Sequence, residues 1–483
     1  MNKTRLLLLS ALGVTLVAGA VAFVALRGSS DAYANVLPND ATAIARLDAK
    51  AFLRDADLSV KDVIQLLRSS QDSDDAPRIG VDVKRPVYLF ASSSNNMGAV
   101  FAVDDEDDLI AFCESRQAEG HASEITPQRG YSWVVVEQQW LLAFDAKKAL
   151  VMGPAVGAAQ DQLRNEMARL LEQKREDSGL ETPLFDALSK SDEPLVAVVA
   201  PEVLPAEARQ VLRRFKVSSR ADALLRLTVE TDDNELELEA NVLAESDGVK
   251  DELKRMDDVL RPIKGSLTEH THAENVAWIA MNVDGSMLLD ALRSDATVRT
   301  ALLALNLAFD LDRIIRSVDG DFAMELTEAA SLGGNARNDS PFNSLYVTAV
   351  VSNTDFLNDA STWGNSLIGV QALTPQDFVL NLGSGSLYFG VEGKTFYLGG
   401  EQGLVHEENS YLHQRRNDIK GNRFFATFTV PALVDQLDMK SELSAALSNF
   451  ERLNLEMEHV GDVKMQLVAP RGTNIAREIL LSR

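Results

Sequence analysis

One order of elements occurs twice along the chain, and that repetition limits the folds open to it more than any single motif does. The segment "DATAIARLDAKAFLRDA" (Asp40–Ala56) gives an alternating apolar strand, an aspartate and an amphipathic helix, and "ENVAWIAMNVDGSMLLDAL" (Glu274–Leu292) gives the same about 235 residues later. "VDGDFAMELTEA" then stands where "VKRPVYLFASS" stood, and "LYVTAVVSNTDFLNDAS" answers "GAVFAVDDEDDLIAFCE", each a strand leading into an acidic helix start. "GSLYFGVEGKTFYLGGE" matches "GYSWVVVEQQWLLAFDA" as a hairpin, "NRFFATFTVPALVDQLD" matches "PLVAVVAPEVLPAEARQ", and "DVKMQLVAP" closes the second set. These pairs predict an α+β protein of two similar halves produced by internal duplication, each a mainly antiparallel sheet with helices packed on one face. The expected division is an N-terminal segment 1–34, a first half 35–262 and a second half 263–483.

Within the first half, period-two alternation predicts strands over 41–48, 85–92, 98–104, 131–139, 140–146, 194–201, 223–230 and 235–243. Helical spacing predicts helices over 49–55, 107–116, 158–177, 205–215 and 250–262. In the second half the longest helix candidate, Ala296–Ser317, is apolar around most of its circumference, which marks it for burial or for lining a greasy groove. Arg299, Asp310, Asp312, Arg313 and Arg316 interrupt it too often for a membrane crossing.

A membrane segment is expected at the N-terminus instead. Lys3 and Arg5 precede the charge-free run Leu6–Leu26, and only Arg27 directly follows. About 21 residues at about 1.5 Å each span a bilayer core of about 30 Å. The excess of positive charge before the run keeps the tail cytoplasmic and sends the rest outward. The tripeptide Ala32-Tyr33-Ala34 offers a signal-cleavage point. The expected location is therefore the cell envelope, either anchored in the inner membrane with the body in the periplasm or exported after cleavage near Ala34. With 72 acidic against 47 basic residues the net charge is -25, which repels phosphate backbones and excludes nucleic acid as a partner. The single cysteine, Cys113, rules out an internal disulfide or a thiolate cluster, and its spacing in "DLIAFCESR" places it on the buried face of a helix.

Few residues suggest chemistry. In "TEHTHAE" the pair His270 and His272, flanked by Glu269 and Glu274, would share one face of an extended strand and could take a divalent metal with a third ligand from elsewhere. The acidic run Asp104–Asp108 lacks the spacing of a calcium loop and fits a helix N-terminus, where carboxylates meet free amides. The glycines between Asn381 and Gly403 match no phosphate-binding pattern and precede a strand, so they read as turns. No GxSxG elbow occurs, and no catalytic residue or cofactor is assigned.

The stretches "LPNDATAIARLD", "KRPVYLF", "SVDGDF" and "LYFGVEGKTFYLG" resemble an uncharacterised family of Gram-negative envelope proteins, domain of unknown function 4836. Members tend to open with an "IPxDAxxVxxID" strand after an export signal and often carry a lipobox cysteine, which this sequence lacks. The resemblance implies an envelope location and no assigned activity. The expected function is a non-enzymatic exported or membrane-tethered protein that binds an envelope protein or a small apolar or glycan ligand. The alternatives are a metal-dependent hydrolase using His270 and His272, and a lipid or lipoprotein carrier lined by Ala296–Ser317.

Overall fold

The computed structural model describes residues 31–51, 79–327, 344–436 and 447–475, apart from 83, 156, 158–159, 233, 274, 295, 307–309, 366–367, 382–385 and 448. The expected spanning run Leu6–Leu26 and most of the helix expected over 49–55 lie outside these residues. Among the described residues no helix is long and apolar enough to cross a membrane. The chain divides into two compact units, Met1–Val249 with Gly472–Arg483, and Lys250–Arg471.

The first unit is built on ten strands: β1 (Ala41–Leu47), β2 (Val87–Ser92), β3 (Met97–Ala102), β4 (Thr126–Gln128), β5 (Tyr131–Val136), β6 (Trp140–Phe144), β7 (Lys148–Gly153), β8 (Leu195–Val199), β9 (Ala223–Asp232) and β10 (Glu235–Ala244). All pair antiparallel in the order β4-β5-β6-β7-β3-β2-β1-β8-β9-β10. The helices are α1 (Glu106–Ala118), α2 (Gln160–Glu172), α3 (Pro183–Ser189) and α4 (Ala206–Arg214). They do not share one face of the sheet, as the sequence led us to expect. Alternate residues of β3 enter two cores: Val100 and Ala102 pack with Leu163 and Met167 of α2, while Ala99 and Phe101 pack with Leu109 and Cys113 of α1. "GAVFAV" is apolar at consecutive positions, so both of its faces must leave water and both need a cover.

Local chemistry sets the ends of these elements. The backbone N–H of Ala41 donates to the Pro38 carbonyl at 3.3 Å, turning the chain into β1, and Asp48 accepts from the Ala51 N–H at 2.9 Å just beyond it. Asp105 caps α1 by accepting from the amides of Asp107 and Asp108 at 2.9 and 3.1 Å, which accounts for the acidic run without a ligand.

The second unit contains α5 (Asp247–Val259, from Lys250 onward), β11 (Leu260–Arg261), β12 (Ala277–Asp284), α6 (Gly285–Ser294), α7 (Ala296–Asn306), α8 (Leu311–Ser317), β13 (Val318–Leu326), β14 (Leu345–Val351), β15 (Gly364–Asn365), β16 (Ile368–Ala372) and β17 (Asp377–Asn381). There follow β18 (Ser386–Glu392), β19 (Thr395–Gly399), α9 (Tyr411–Gln414), α10 (Arg416–Ile419), β20 (Phe424–Thr429), α11 (Val430–Gln436), β21 (Arg452–Met457) and β22 (Asp462–Val468). The antiparallel order β16-β17-β18-β19-β14-β13-β12-β20-β21-β22 repeats, strand for strand, the order of the first unit. β15 adds to the β16 edge and β11 pairs with the end of β12.

Two helix expectations are corrected here. Ala296–Ser317 is two helices, because Asp310 turns its side chain to the Arg313 amide and starts α8 afresh. The acidic start after β14 yields only the short turn Asp355–Leu357. There Asn358 and Asp359 follow Phe356 and Leu357, breaking the i+3/i+4 apolar repeat that carries α1 onward.

Candidate functional site

The second unit has an unusual sheet face. Register places Trp278, Ala280 and Asn282 of β12 beside Glu325, Ala323 and Asp321 of β13, and Glu325 and Ala323 beside Tyr346 and Thr348 of β14. On the other side Trp278 lies opposite Thr427, which in turn faces Asn454. All of these residues are buried, so the face is polar although it lies under cover. Buried polar groups need partners, and an irregular cap supplies them to Asp321, Glu325, Tyr346, the Asn282 amide nitrogen and Asn454. In this cap Ile263, Leu267, Leu412 and Ile419 pack onto Trp278 and Phe425.

Two acidic residues pin the cap. Asp321 accepts from the backbone amides of Lys264 and Ser266 at 2.8 and 3.0 Å and from the Ser266 hydroxyl at 2.8 Å. Glu325 accepts from the His272 amide at 3.0 Å and lies 3.1 Å from His272 Nδ1. The bond to Glu325 raises the His272 pKa above its ordinary value of 6.5, against the pull of burial and with help from the charges of Glu325 and Glu401. The His272 ring stands edge-on to Tyr346, with centroids 5.1 Å apart. Burial pushes the Tyr346 phenol up to about 12, with nearby glutamates adding to the shift and the bond it accepts from the Val405 amide, 2.9 Å long, opposing it.

His270 sits beside this pair with a different set of neighbours. Its Nδ1 lies 3.0 Å from the Val405 carbonyl oxygen, and its ring meets that of His406 edge-on at 5.0 Å. Exposed His406 places Nε2 3.5 Å from Glu392, and His270 Nε2 is 3.7 Å from Glu269. The structure therefore gathers His270, His272, His406, Glu325 and Tyr346 around one cap.

The expected common face for His270 and His272 is corrected. Residues 266–271 form turns and a bend, not extended chain, so the two-residue alternation does not apply and the imidazoles turn to different neighbours. Among the described residues no group of three or more His, Cys, Asp or Glu is arranged to hold a metal ion. Glu274 lies outside the described residues. Of the three remaining histidines, His121 pairs with Glu137 at 2.9 Å, His459 lies 3.5 Å from Asp257, and His413 stands in α9 of the cap. Cys113 is buried in its helix, and burial raises its thiol to about 11.

Sequence reading missed Glu325, Tyr346 and His406. A signal for the first was present: in "VDGDFAMEL" Asp321 and Glu325 stand four apart on one face of a strand among apolar residues, where a charge needs a built partner. Chemically, the arrangement is a hydrogen-bonded latch, since the side chain and amide of His272 both reach Glu325.

No curated protein matches the chain. Two crystal forms of TP0453 are similar solved structures: form III is 11% identical and covers 49% of this chain and 90% of that one at TM-score 0.28. Form I is 10% identical, covering 49% and 89% at TM-score 0.27. A family model is the finding that identifies the chain. Described as domain of unknown function (DUF4836), it matches residues 33–428, and the chain belongs to that family.

Proposed function

We propose that this protein is a non-enzymatic envelope protein, exported and held at the membrane by residues 6–26, whose body binds another envelope protein or a small apolar or glycan ligand. The observation that carries the reading is the charge-free run Leu6–Leu26 behind Lys3 and Arg5. Tyr33 and Ala34, buried in the first unit's core, support an uncleaved anchor, because cleavage after Ala34 would strip Tyr33 from its packing on Tyr88 and from the Pro86 carbonyl, 2.7 Å from its hydroxyl. The shared strand order of the two units supports descent from one duplicated half. The ties of His270 and His272 to Val405 and Glu325 support a structural part for both histidines.

The test is a fusion of residues 1–40 to alkaline phosphatase, which is active only after export, together with fractionation of the full chain. Activity of the fusion and full chain in carbonate-washed membranes are expected. An inactive fusion, or full chain in the cytosol, overturns the proposal.

A further inference from the structure

Helix α4 differs from an ordinary surface helix in that none of its residues is fully buried. At about 100° per residue, Ala208, Leu212 and Phe215 gather on one side, and these are half-buried. The opposite arc carries Arg209, Arg213 and Arg214, all exposed and, among the described residues, without an acidic partner. Val211, at the margin of that arc, is 55% exposed, and Val203, in the turn just before the helix, is 46% exposed. Residues 201–220 hold five basic residues (Arg209, Arg213, Arg214, Lys216, Arg220) against two acidic ones (Glu202, Glu207), in a chain whose net charge is -25.

The position of this segment matters as much as its charge. The Arg220 guanidinium donates to the Ala41 carbonyl at 3.3 Å, and the Ala200 amide donates to the Thr42 carbonyl at 2.8 Å. The basic segment is thereby fastened to the start of β1, where the chain arrives from the N-terminal run. About fifteen residues separate Leu26 from Ala41, so at most about 50 Å of chain lies between them.

We propose that α4 and the turn before it dock on the anionic headgroups of the bilayer that holds the N-terminal run, with Arg209, Arg213 and Arg214 at the phosphates and Val203 and Val211 at the interface. This rests on the reading of residues 6–26 as an uncleaved anchor. A bilayer fits better than an acidic protein because the basic residues form a convex arc with exposed valines at its margin, and because the anchor holds that arc within reach of the surface. Three arginines near an anionic surface bias the helix toward it on the order of a hundredfold at low salt.

The experiment uses full-length protein with Val211→Cys carrying an environment-sensitive fluorophore; native Cys113 is buried and stays unlabelled. The protein is reconstituted into phosphatidylcholine vesicles with or without phosphatidylglycerol, and Leu373→Cys serves as the control position. A blue shift at position 211 alone is expected with phosphatidylglycerol. It should be lost in an R209E/R213E/R214E background and at about 1 M salt, where the Debye length falls to about 3 Å. Identical spectra in both vesicle types overturn the proposal, as an acidic protein occupant would require. A shift that survives both charge reversal and salt also overturns it. Protein that fails to float with either vesicle type overturns the anchor reading and this one together, whereas protein that floats without the shift overturns this one alone.

Discussion

Replacing Glu325 by Gln tests whether the latch over the polar sheet face works as its geometry says. The side chain of Glu325 is 2% exposed and that of His272 24%, so the pair is screened far less than a surface ion pair. Gln keeps the volume and one acceptor oxygen but removes the charge. A charged hydrogen bond contributes about 1.5–3 kcal/mol against about 1 for a neutral one, so the loss is about 0.5–2 kcal/mol where His272 is protonated. The sign of the pH dependence follows from His272, whose folded pKa is raised above 6.5. Its stabilisation is fully present below the unfolded value and is lost as pH rises through the folded one. Urea unfolding of the wild type and E325Q between about pH 5.5 and pH 9 should therefore show the largest difference at the acid end, shrinking above the unfolded value of about 6.5. Imidazole NMR should place the His272 titration above that of an exposed histidine in the wild type, and the excess should disappear in E325Q. A stability difference that is constant with pH, or a His272 titration at or below 6.5, would refute the reasoning.

Other outcomes follow from the same contacts. Tyr33→Ala should cost about 3–5 kcal/mol in urea unfolding, because it empties a core position beside Tyr88 and orphans the Pro86 carbonyl; a change under about 1 kcal/mol would show that Tyr33 is not part of the folded core. Asp321→Ala leaves the amides of Lys264 and Ser266 without their acceptor, at about 1–3 kcal/mol for each buried donor, and faster hydrogen exchange confined to the cap should report it. The Cys113 thiol, raised to about 11 by burial, should react with a thiol reagent at pH 8 only after unfolding; prompt reaction of the native protein would place it at the surface.

Much of the architecture was legible because strands announce themselves by alternation where one face is wet and by short continuous apolar runs where both faces are covered, as in β2 and β6. "ATAIARL", "VYLFAS" and the two hairpins around Glu137–Gln139 and Gly393 appear where these patterns placed them. Short strands carried too few residues to show a period: β4 is three residues and β16 and β17 are five each, and none was expected. The site was legible only in part. His270 and His272 stood out as histidines, but their geometry depended on whether residues 266–271 were extended, and the turn there is fixed by Asp321 and Glu325, more than 50 residues away. A local pattern cannot show an acceptor that arrives from another strand.

The two units make that dependence clear, since they share a strand order and differ in what covers corresponding faces. In the first unit Ile44 and Val198 share a core with Leu184, Ala187 and Leu188 of the seven-residue helix α3, which packs on β1 and β8, and with Leu163 and Met167 of the 13-residue helix α2. A helix satisfies its interior backbone groups within itself, so it asks only for apolar contact and the face beneath it is apolar. In the second unit the cover is loop with two four-residue helices, α9 and α10. Such a segment brings free amides into the interior, at Lys264, Ser266 and His272, and each must find an acceptor. Asp321 and Glu325 are those acceptors, standing on the buried face of β13 on either side of Ala323. The buried carboxylates and the irregular cap are thus matched, each supplying the hydrogen-bond partners the other needs. Replacing Asp321 and Glu325 together with Leu should therefore loosen the cap, raising its hydrogen exchange, even though the sheet itself gains apolar surface. A double variant with a tighter cap would show that the amides find their partners elsewhere.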